Sequence, residues 1–126
     1  MPNQELKNEF RKRIYRYVLP LIKFLVKLPK DAVTKEIISQ LTDSGTSIGA
    51  NYFEAEASSS KKEFSRGFTI CLRSCNETKF WLAILKDSAL VPNTLMIECN
   101  WLFQETKEIA NIFASSLITM KNKRVL

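Results

Sequence analysis

Apolar side chains recur along the chain at alternating intervals of three and four residues, the spacing of one buried face of an α-helix. The first such series consists of Phe10, Ile14, Tyr17, Leu21, Phe24 and Leu28. It predicts a helix over about residues 6–28, ending at a Leu-Pro-Lys-Asp junction. Asp31 in that junction is a candidate N-cap for the next helix, because its side chain can accept from a free backbone N–H.

Pro20 lies inside this first predicted helix. Proline lacks a backbone N–H and disfavours helical geometry at the preceding residue, so it either kinks the helix or ends it there. Because the apolar spacing continues through Pro20 without a shift, we favour a kinked continuous helix over a break.

The second predicted helix covers about residues 32–57. Its apolar face carries Ile37, Leu41, either Ser44 or Gly45, Ile48, Tyr52 and Ala55. Gly45 and Gly49 lie in its middle, although each glycine costs about 1 kcal/mol relative to alanine in a helix. Their one-turn spacing suggests that they let a neighbouring backbone approach closely. The same segment could form a phosphate-binding turn, but no strand precedes it and no lysine follows at Walker spacing.

The third and fourth predicted helices cover about residues 61–88 and 94–121. Ser60 and Glu63 form a capping-box pattern at the start of the third. Its apolar face carries Phe64, Phe68, Cys71, Cys75, Thr78, Leu82 and Leu85. The fourth repeats this spacing with Leu95, Cys99, Leu102, Thr106, Ile109, Phe113, Ser116 and Met120. Short connections join all four helices, so the sequence predicts an all-α fold, an antiparallel up-down-up-down four-helix bundle in one domain over residues 1–126.

The first and fourth helices carry apolar residues away from these faces. They are Ile22, Val26, Phe103 and Ile112. A monomeric bundle does not need them in its core, so they suggest an oligomer, although scattered surface hydrophobes are also normal.

Composition excludes several kinds of chemistry. The chain has no histidine, which removes imidazole catalysis and most zinc sites. Its three cysteines and the absence of a secretion leader predict free thiols in a cytoplasmic protein. The longest uncharged stretch near the C-terminus, residues 109–120, is too short for the ~20 residues of a membrane span.

The cysteines and aromatic residues offer further candidate sites. Cys71 and Cys75 are one turn apart and Cys99 lies on the neighbouring face, so a thiolate metal site is conceivable. A fourth ligand is missing and a buried cysteine behaves as a small hydrophobe, so we predict no metal and no cofactor. The aromatic residues that could stack on nucleic-acid bases are predicted to lie in the core because of their helical spacing; they are Phe64, Phe68, Trp81 and Trp101.

The charge is distributed unevenly along the chain. The net charge is +6, and residues 1–30 hold eight basic groups against Glu5 and Glu9, so this excess lies wholly in the first quarter. On a helical wheel, a solvent-facing stripe lies opposite the apolar face of the first helix; its members are Lys12, Arg16, Lys23, Lys27 and Lys30. The candidate nucleic-acid-binding residues are Arg11, Lys12, Arg13, Arg16, Lys23, Lys27 and Lys30. In a bundle, the start of the first helix also meets basic residues of the third and fourth, which gives a second basic region at one end.

The segments Ser44–Ala55, Ser60–Phe64 and Glu77–Leu82 resemble a bacterial family of four-helix-bundle proteins named after the 23S rRNA intervening-sequence protein. The central Ser-Ile-x-x-Asn…Glu pattern is the most specific part of the match. The resemblance implies assembly into ring-like homopentamers. Relatives act as accessory proteins of diversity-generating retroelements, so it also implies association with RNA and a reverse transcriptase.

The resemblance further implies a structural polar network of Asn51, Glu54 and Glu77, since a buried carboxylate needs a partner. A catalytic carboxylate pair is the alternative, but it lacks a third group or a pocket. The sequence therefore predicts a non-enzymatic oligomeric accessory protein that binds RNA or DNA through its first helix. A protein-only oligomeric scaffold is the alternative; a membrane-surface protein or an enzyme fits the sequence less well.

Overall fold

The structure, a computed structural model, describes residues 4–125, with side chains described for residues 4–123. Over this range the fold is all-α, with four long helices and no strand. The helices are α1 (Gln4–Lys27), α2 (Ala32–Glu56), α3 (Lys61–Asp87) and α4 (Met96–Val125). A short 3₁₀ turn over Asn93–Leu95 leads into α4.

The helix ends lie close to the predicted ones. The first three helices begin and end within two residues of the prediction, whereas α4 continues past residue 121 to Val125. Asp31 caps α2 as expected: its Oδ1 accepts from Thr34 N at 3.1 Å and its Oδ2 accepts from Thr34 Oγ1 at 2.8 Å. These bonds hold the pKa of Asp31 below its usual value. At the start of α3, Ser60 Oγ accepts from Glu63 N at 3.1 Å, which is one of the two bonds of a capping box.

Helix α1 is continuous through Pro20. The alternative of a break with a new helix at this point is therefore wrong. The apolar spacing was the better guide, because the face that contains Tyr17, Leu21 and Phe24 is fully buried on both sides of the proline.

The predicted apolar faces meet in one core. Residues of all four helices contribute fully buried side chains; the largest are Tyr17, Phe24, Phe113, Ile14, Leu21, Leu28, Leu41, Ile48, Leu82, Leu85, Leu102 and Ile109. Four predicted members of the apolar faces are only partly buried, namely Phe10, Phe64, Ser116 and Met120. All four lie in the first turns of α1 and α3 or in the last turns of α4.

Contacts between helices follow an ordered pattern. Between α1 and α2, Arg11 contacts Glu56, and Leu21, ten residues later, lies beside Gly45. In α1 and α4, Tyr17 contacts Thr106 and Lys27 contacts Glu98. Residue numbers therefore rise along α1 as they fall along each of its neighbours.

Small residues set the closest approaches between helices. A Cβ atom at Gly45 would overlap Cδ2 of Leu21, and one at Gly49 would lie 3.1 Å from Cγ2 of Val18. These neighbours are side chains, so the expectation that Gly45 and Gly49 admit a neighbouring backbone is wrong. Backbone contact of this kind occurs at Gly67, where a Cβ would lie 2.7 Å from Ala55 Cβ and 3.4 Å from Ala55 Cα.

The two ends of the molecule differ. At the end formed by the α1–α2 and α3–α4 connections, Leu28, Val91 and Leu95 are buried and cover the core. Ala89, with φ of 57°, turns the chain after α3, and Leu90 N then donates to Leu85 O at 3.0 Å. The other end contains the α2–α3 connection, a polar segment of three serines that supplies no such cover. We call it the open end.

Replacing Gly45 with leucine should destabilise the fold by about 1–3 kcal/mol, because Leu21 is fully buried and cannot move away without disturbing the core. Ala50→Leu on the exposed side of the same helix is the matched control and should leave stability almost unchanged. Urea unfolding of both variants measures the difference. Equal midpoints for Gly45→Leu and the wild type would show that the α1–α2 contact is not tightly packed.

Candidate nucleic-acid interface

Arg13 joins α1 to α4. Its Nε and Nη2 donate to Glu105 Oε2 and Oε1, both at 2.8 Å, and Nη2 also contacts Glu108 Oε1 at 3.0 Å. The bonds to Glu105 are the main reason that the pKa of Arg13 is raised above its ordinary value. Hydrogen bonds from Gln104 and Arg13 lower the pKa of Glu108. This paired geometry is the strong form of a charge-assisted hydrogen bond and fixes the Arg13 side chain against α4.

Arg11 joins the same helix to α2. Its Nε donates to Glu56 Oε1 at 2.9 Å and its Nη2 to Oε2 at 3.4 Å. The Glu56 side chain is only 9% exposed, so Arg11 balances a nearly buried carboxylate. The hydrogen bond to Glu56 is the largest cause of the raised pKa of Arg11.

Two lysines at the end of α1 are also engaged. Lys27 Nζ lies 3.2 Å from Glu98 Oε1, an exposed ion pair with α4. Lys30 Nζ donates to Val26 O at 2.9 Å and to the carbonyl oxygens of Leu25 and Leu28. Lys30 thus satisfies carbonyl groups that the end of a helix leaves unpaired and complements the helix dipole.

The remaining candidate cations are Lys12, Arg16 and Lys23, which we call the basic stripe. Arg16 and Lys23 are exposed and have no hydrogen-bond or ion-pair partner within residues 4–123. Lys12 makes a 3.6 Å pair with Glu9 in which both side chains are more than half exposed, and such pairs contribute little. The stripe extends about 16 Å along α1.

The predicted solvent-facing stripe of Lys12, Arg16, Lys23, Lys27 and Lys30 is exposed, but Lys27 and Lys30 in it have partners within the molecule. Arg11, Arg13 and Lys27 reach sideways to carboxylates of the neighbouring helices. Sequence reasoning missed these carboxylates. Glu98 and Glu105 each directly precede a residue of the buried α4 face. A charged residue in that position lies at the edge of the buried face, beside the neighbouring helix α1.

The open end collects a second set of cations. The start of α1, the start of α3 and the end of α4 meet there, since Lys7, Lys61 and Lys123 line one cleft. Several basic side chains of these segments have no ion-pair partner among the described residues, namely Lys7, Lys61, Lys62, Arg66, Lys121 and Lys123. Of the basic region predicted at one end of the molecule, Lys61 and Lys123 line this cleft, while the side chain of Arg124 lies outside the described residues.

The predicted polar network does not form. Glu54 and Glu77 are exposed, because each precedes a buried residue and points about 100° away from it. Asn51 is half-buried and donates within its own helix, to Ser47 O at 2.8 Å.

The core instead holds two hydroxyl pairs. Thr106 donates to Leu102 O at 2.6 Å, so Tyr17 donates to Thr106 Oγ1 across the 2.5 Å that separates them. Thr78 Oγ1 lies 2.9 Å from Ser44 Oγ. These pairs stabilise the core and offer no reactive group.

The aromatic residues are only partly internal. Phe68 is buried, and Phe64 and Trp81 pack against the core while remaining partly exposed. The indole N–H of Trp81 is buried without a hydrogen-bond partner in the described part of the chain. Trp101 is 46% exposed, so its prediction as a core residue is wrong. It lies on the flank of α4 that carries Glu98, which contacts α1.

The three cysteines are buried and free. Burial raises the pKa of Cys71 and of Cys75 to about 12 and also raises that of Cys99. Cys71 Sγ is directed at Ile48 O, 3.7 Å away. No group of three or more metal-ligating side chains occurs among the described residues.

Helices α1 to α4, as far as they are described, lack a stretch long and apolar enough to cross a membrane.

These features define a small all-α four-helix bundle with cations distributed unevenly over its surface. The profile of the 23S rRNA-intervening sequence proteins matches residues 7–115. The chain belongs to this family.

A crystal structure supports the assignment. It is that of a protein of unknown function from the S23 ribosomal protein family of Bacteroides thetaiotaomicron, with a TM-score of 0.72 and 28% sequence identity. The match covers 85% of this chain and 96% of that one. No curated protein matches the sequence.

Alkaline pH should destabilise the protein through its buried thiols. The pKa of Cys71 and Cys75 is about 12 in the folded state, against 9.0 for an ordinary thiol. Their contribution to stability is therefore complete below pH 9 and is lost as the pH rises towards 12. Urea unfolding at pH 8 and pH 10 should show a fall in stability that is smaller in a Cys71→Ala/Cys75→Ala variant. The same fall in both proteins would assign the effect to other groups.

Proposed function

We propose that this chain is a non-enzymatic accessory protein that binds RNA or DNA through its unpaired cations. The observation that carries the proposal is the division of charge on α1: Arg16 and Lys23 have no partner among the described residues and Lys12 makes only an exposed 3.6 Å pair with Glu9, while Arg11 and Arg13 are held by carboxylates. Free, solvated cations on a rigid helix suit phosphate contacts, which release counterions on binding. Family membership supports the proposal, since the family is named for a sequence that interrupts 23S rRNA.

The unpaired cations of the open end would extend this surface. Lys7, Lys61 and Lys123 have no carboxylate partner among the described residues, and Glu56, which lies beside them, is already paired with Arg11. Because contacts of this kind recognise the phosphate backbone, we expect weak sequence preference. A nucleic-acid enzyme such as a reverse transcriptase remains the proposed protein partner, in the cytoplasm.

We also propose that the protein assembles into a homo-oligomeric ring, with a pentamer as the favoured size. The support is a second stripe on α1, here called the apolar stripe, made of Tyr15, Leu19, Ile22 and Val26. Their spacing of four, three and four residues places them on one face, and they are between 41% and 70% exposed. Contiguous exposed apolar surface of this kind is typical of a protein–protein interface.

The apolar stripe also favours a second candidate function, a protein scaffold without nucleic-acid binding. Of the other apolar positions expected to promote assembly, Phe103 is exposed, whereas Ile112 is partly buried in a cleft. For the fold itself we propose the antiparallel up-down-up-down arrangement, supported by the opposed order of contacts between α1 and its neighbours.

Reversing the charge of the basic stripe should weaken nucleic-acid binding by tenfold or more, because repulsion replaces phosphate attraction at two positions. The variant is Arg16→Glu/Lys23→Glu, compared with the wild type by fluorescence anisotropy on a labelled single-stranded RNA. Neither side chain contacts the core, so fold and oligomer should be unchanged.

The matched control is Lys86→Glu/Lys107→Glu, which reverses two exposed cations outside the stripe that have no ion-pair partner among the described residues. It should bind nearly as well as the wild type. If both variants lost the same RNA affinity, only net charge would matter. If the stripe variant bound RNA as tightly as the wild type, the basic stripe would not be part of the interface. A wild-type protein that binds no nucleic acid at low salt would favour the scaffold.

Light scattering on the wild type should give a mass several times 14.5 kDa. An Ile22→Glu/Val26→Glu variant should shift towards the monomer, since two charges would be buried in the interface. Val33→Glu, at a 63% exposed position on α2, is the matched control and should retain the oligomer. A monomeric wild type at micromolar concentration would refute the assembly.

A further inference from the structure

Among the residues that the structure describes, the core is incomplete at the open end. The four members of the apolar faces that remain partly buried all lie there, namely Phe10, Phe64, Ser116 and Met120. At the opposite end, Leu28, Val91 and Leu95 fill the equivalent space. The residue pattern therefore supplies core-type side chains at the open end but no side chain from a connection to cover them.

This exposed part of the core forms a cleft. Its volume is about 400 Å³, within the range of small-molecule sites. Aromatic rings form the floor: Phe64 packs on Phe68 with 4.4 Å between ring centroids, and Phe10 contacts Tyr52 at 5.0 Å. A second cleft of about 540 Å³ shares Phe64 with it, so the two form one continuous groove. Most of the exposed lining area of this groove is apolar, and hydroxyl groups and charged groups lie at its edge.

The charges that line the groove belong to three lysines and one carboxylate. Lys7 and Lys123 line both parts of the groove and Lys61 lines the second part. None of the three has an ion-pair partner in the portion of the chain that is described. The carboxylate in the lining belongs to Glu56, whose oxygens accept from Arg11 at 2.9 and 3.4 Å. Glu56 is thus neutralised, and the groove presents an apolar floor beneath three uncompensated ammonium groups.

We propose that this groove binds a small amphiphile that has one anionic head group and an apolar body the size of a medium-chain acyl group. The apolar body would cover Phe64, Phe10 and Met120, which otherwise expose core-type surface to water. The head group would lie between Lys7 and Lys123 at the edge. The complementary charge selects an anion, and the single apolar floor selects a ligand with one apolar body.

This site lies apart from the basic stripe but shares Lys7, Lys61 and Lys123 with the proposed extension of the nucleic-acid surface at the open end. The basic stripe lies on the exposed side of α1, whereas the groove lies between the first turns of α1 and α3 and the last turns of α4. A polyanion without an apolar body would contact the lysines but leave the aromatic floor exposed. The groove can therefore be tested with small probes alone.

The test uses the full-length protein and two probes. Anilinonaphthalene sulfonate, an aromatic anion, should become fluorescent on binding with one site per chain. Decanoate should displace it, whereas a decyl-trimethylammonium cation of the same chain length and inorganic phosphate should not. These arms separate the need for an anion from the need for an apolar body.

Two variants locate the site. Thr119→Trp places a bulky side chain over the cleft from an exposed position, so the fold should be retained and binding lost. Lys7→Glu/Lys123→Glu should weaken decanoate binding by about tenfold or more, since two attractive charges become repulsive. Val26→Ser and Lys86→Glu/Lys107→Glu are the matched controls, which remove apolar surface and positive charge elsewhere; both should bind as the wild type does.

Three results would overturn the proposal. The first is displacement by the cation as effective as that by decanoate. The second is unchanged dye binding in Thr119→Trp, or its loss in Val26→Ser, because the dye would then occupy the apolar stripe. The third is a dye signal that disappears as protein concentration rises, which would show that a second copy of the chain fills the groove. Circular dichroism of each variant verifies that the helices are intact.

Discussion

The structure depends on the carboxylates that hold α1 between its two neighbours. Glu56 on α2 and Glu105 on α4 are largely buried and bind Arg11 and Arg13. Their geometry fixes the rotation of α1, so the Tyr17 face points into the core and the opposite face points to solvent. Removing one partner of such a pair would leave an uncompensated charge, which costs far more than an exposed ion pair contributes. Arg11 and Arg13 are thus structural, and this constraint decides which cations are left for function.

The division of charge gives α1 two exposed stripes with different chemistry. Lys12, Arg16 and Lys23 project into solvent, and the apolar stripe that includes Ile22 and Val26 lies beside them. One helix could therefore contact phosphates with one stripe and a second copy of the chain with the other. In a ring, each subunit would add its own cations. Once one subunit had bound, the others would be held at a high effective concentration near the same nucleic acid, so several weak contacts would give strong binding.

Local patterns in the sequence predicted the fold well, because helical periodicity and caps are properties of neighbouring residues. Asp31 and the continuity of α1 through Pro20 are examples. The site was predicted less well, since the role of a surface charge depends on what the next helix presents to it. The expected network around Glu54 failed because Glu54 and Glu77 point away from the buried faces of their own helices, and Trp101 shows that helical spacing alone does not distinguish the core from a helix flank.

The central claim is that unpaired cations on a rigid bundle contact a phosphate backbone. The most direct measurement is the affinity of the wild-type protein for a labelled single-stranded RNA as a function of potassium chloride concentration. The account predicts that the logarithm of the association constant falls linearly with the logarithm of salt concentration, with a slope of about −0.7 for each phosphate contacted. An affinity that does not change with salt, or no binding at low salt, would contradict it.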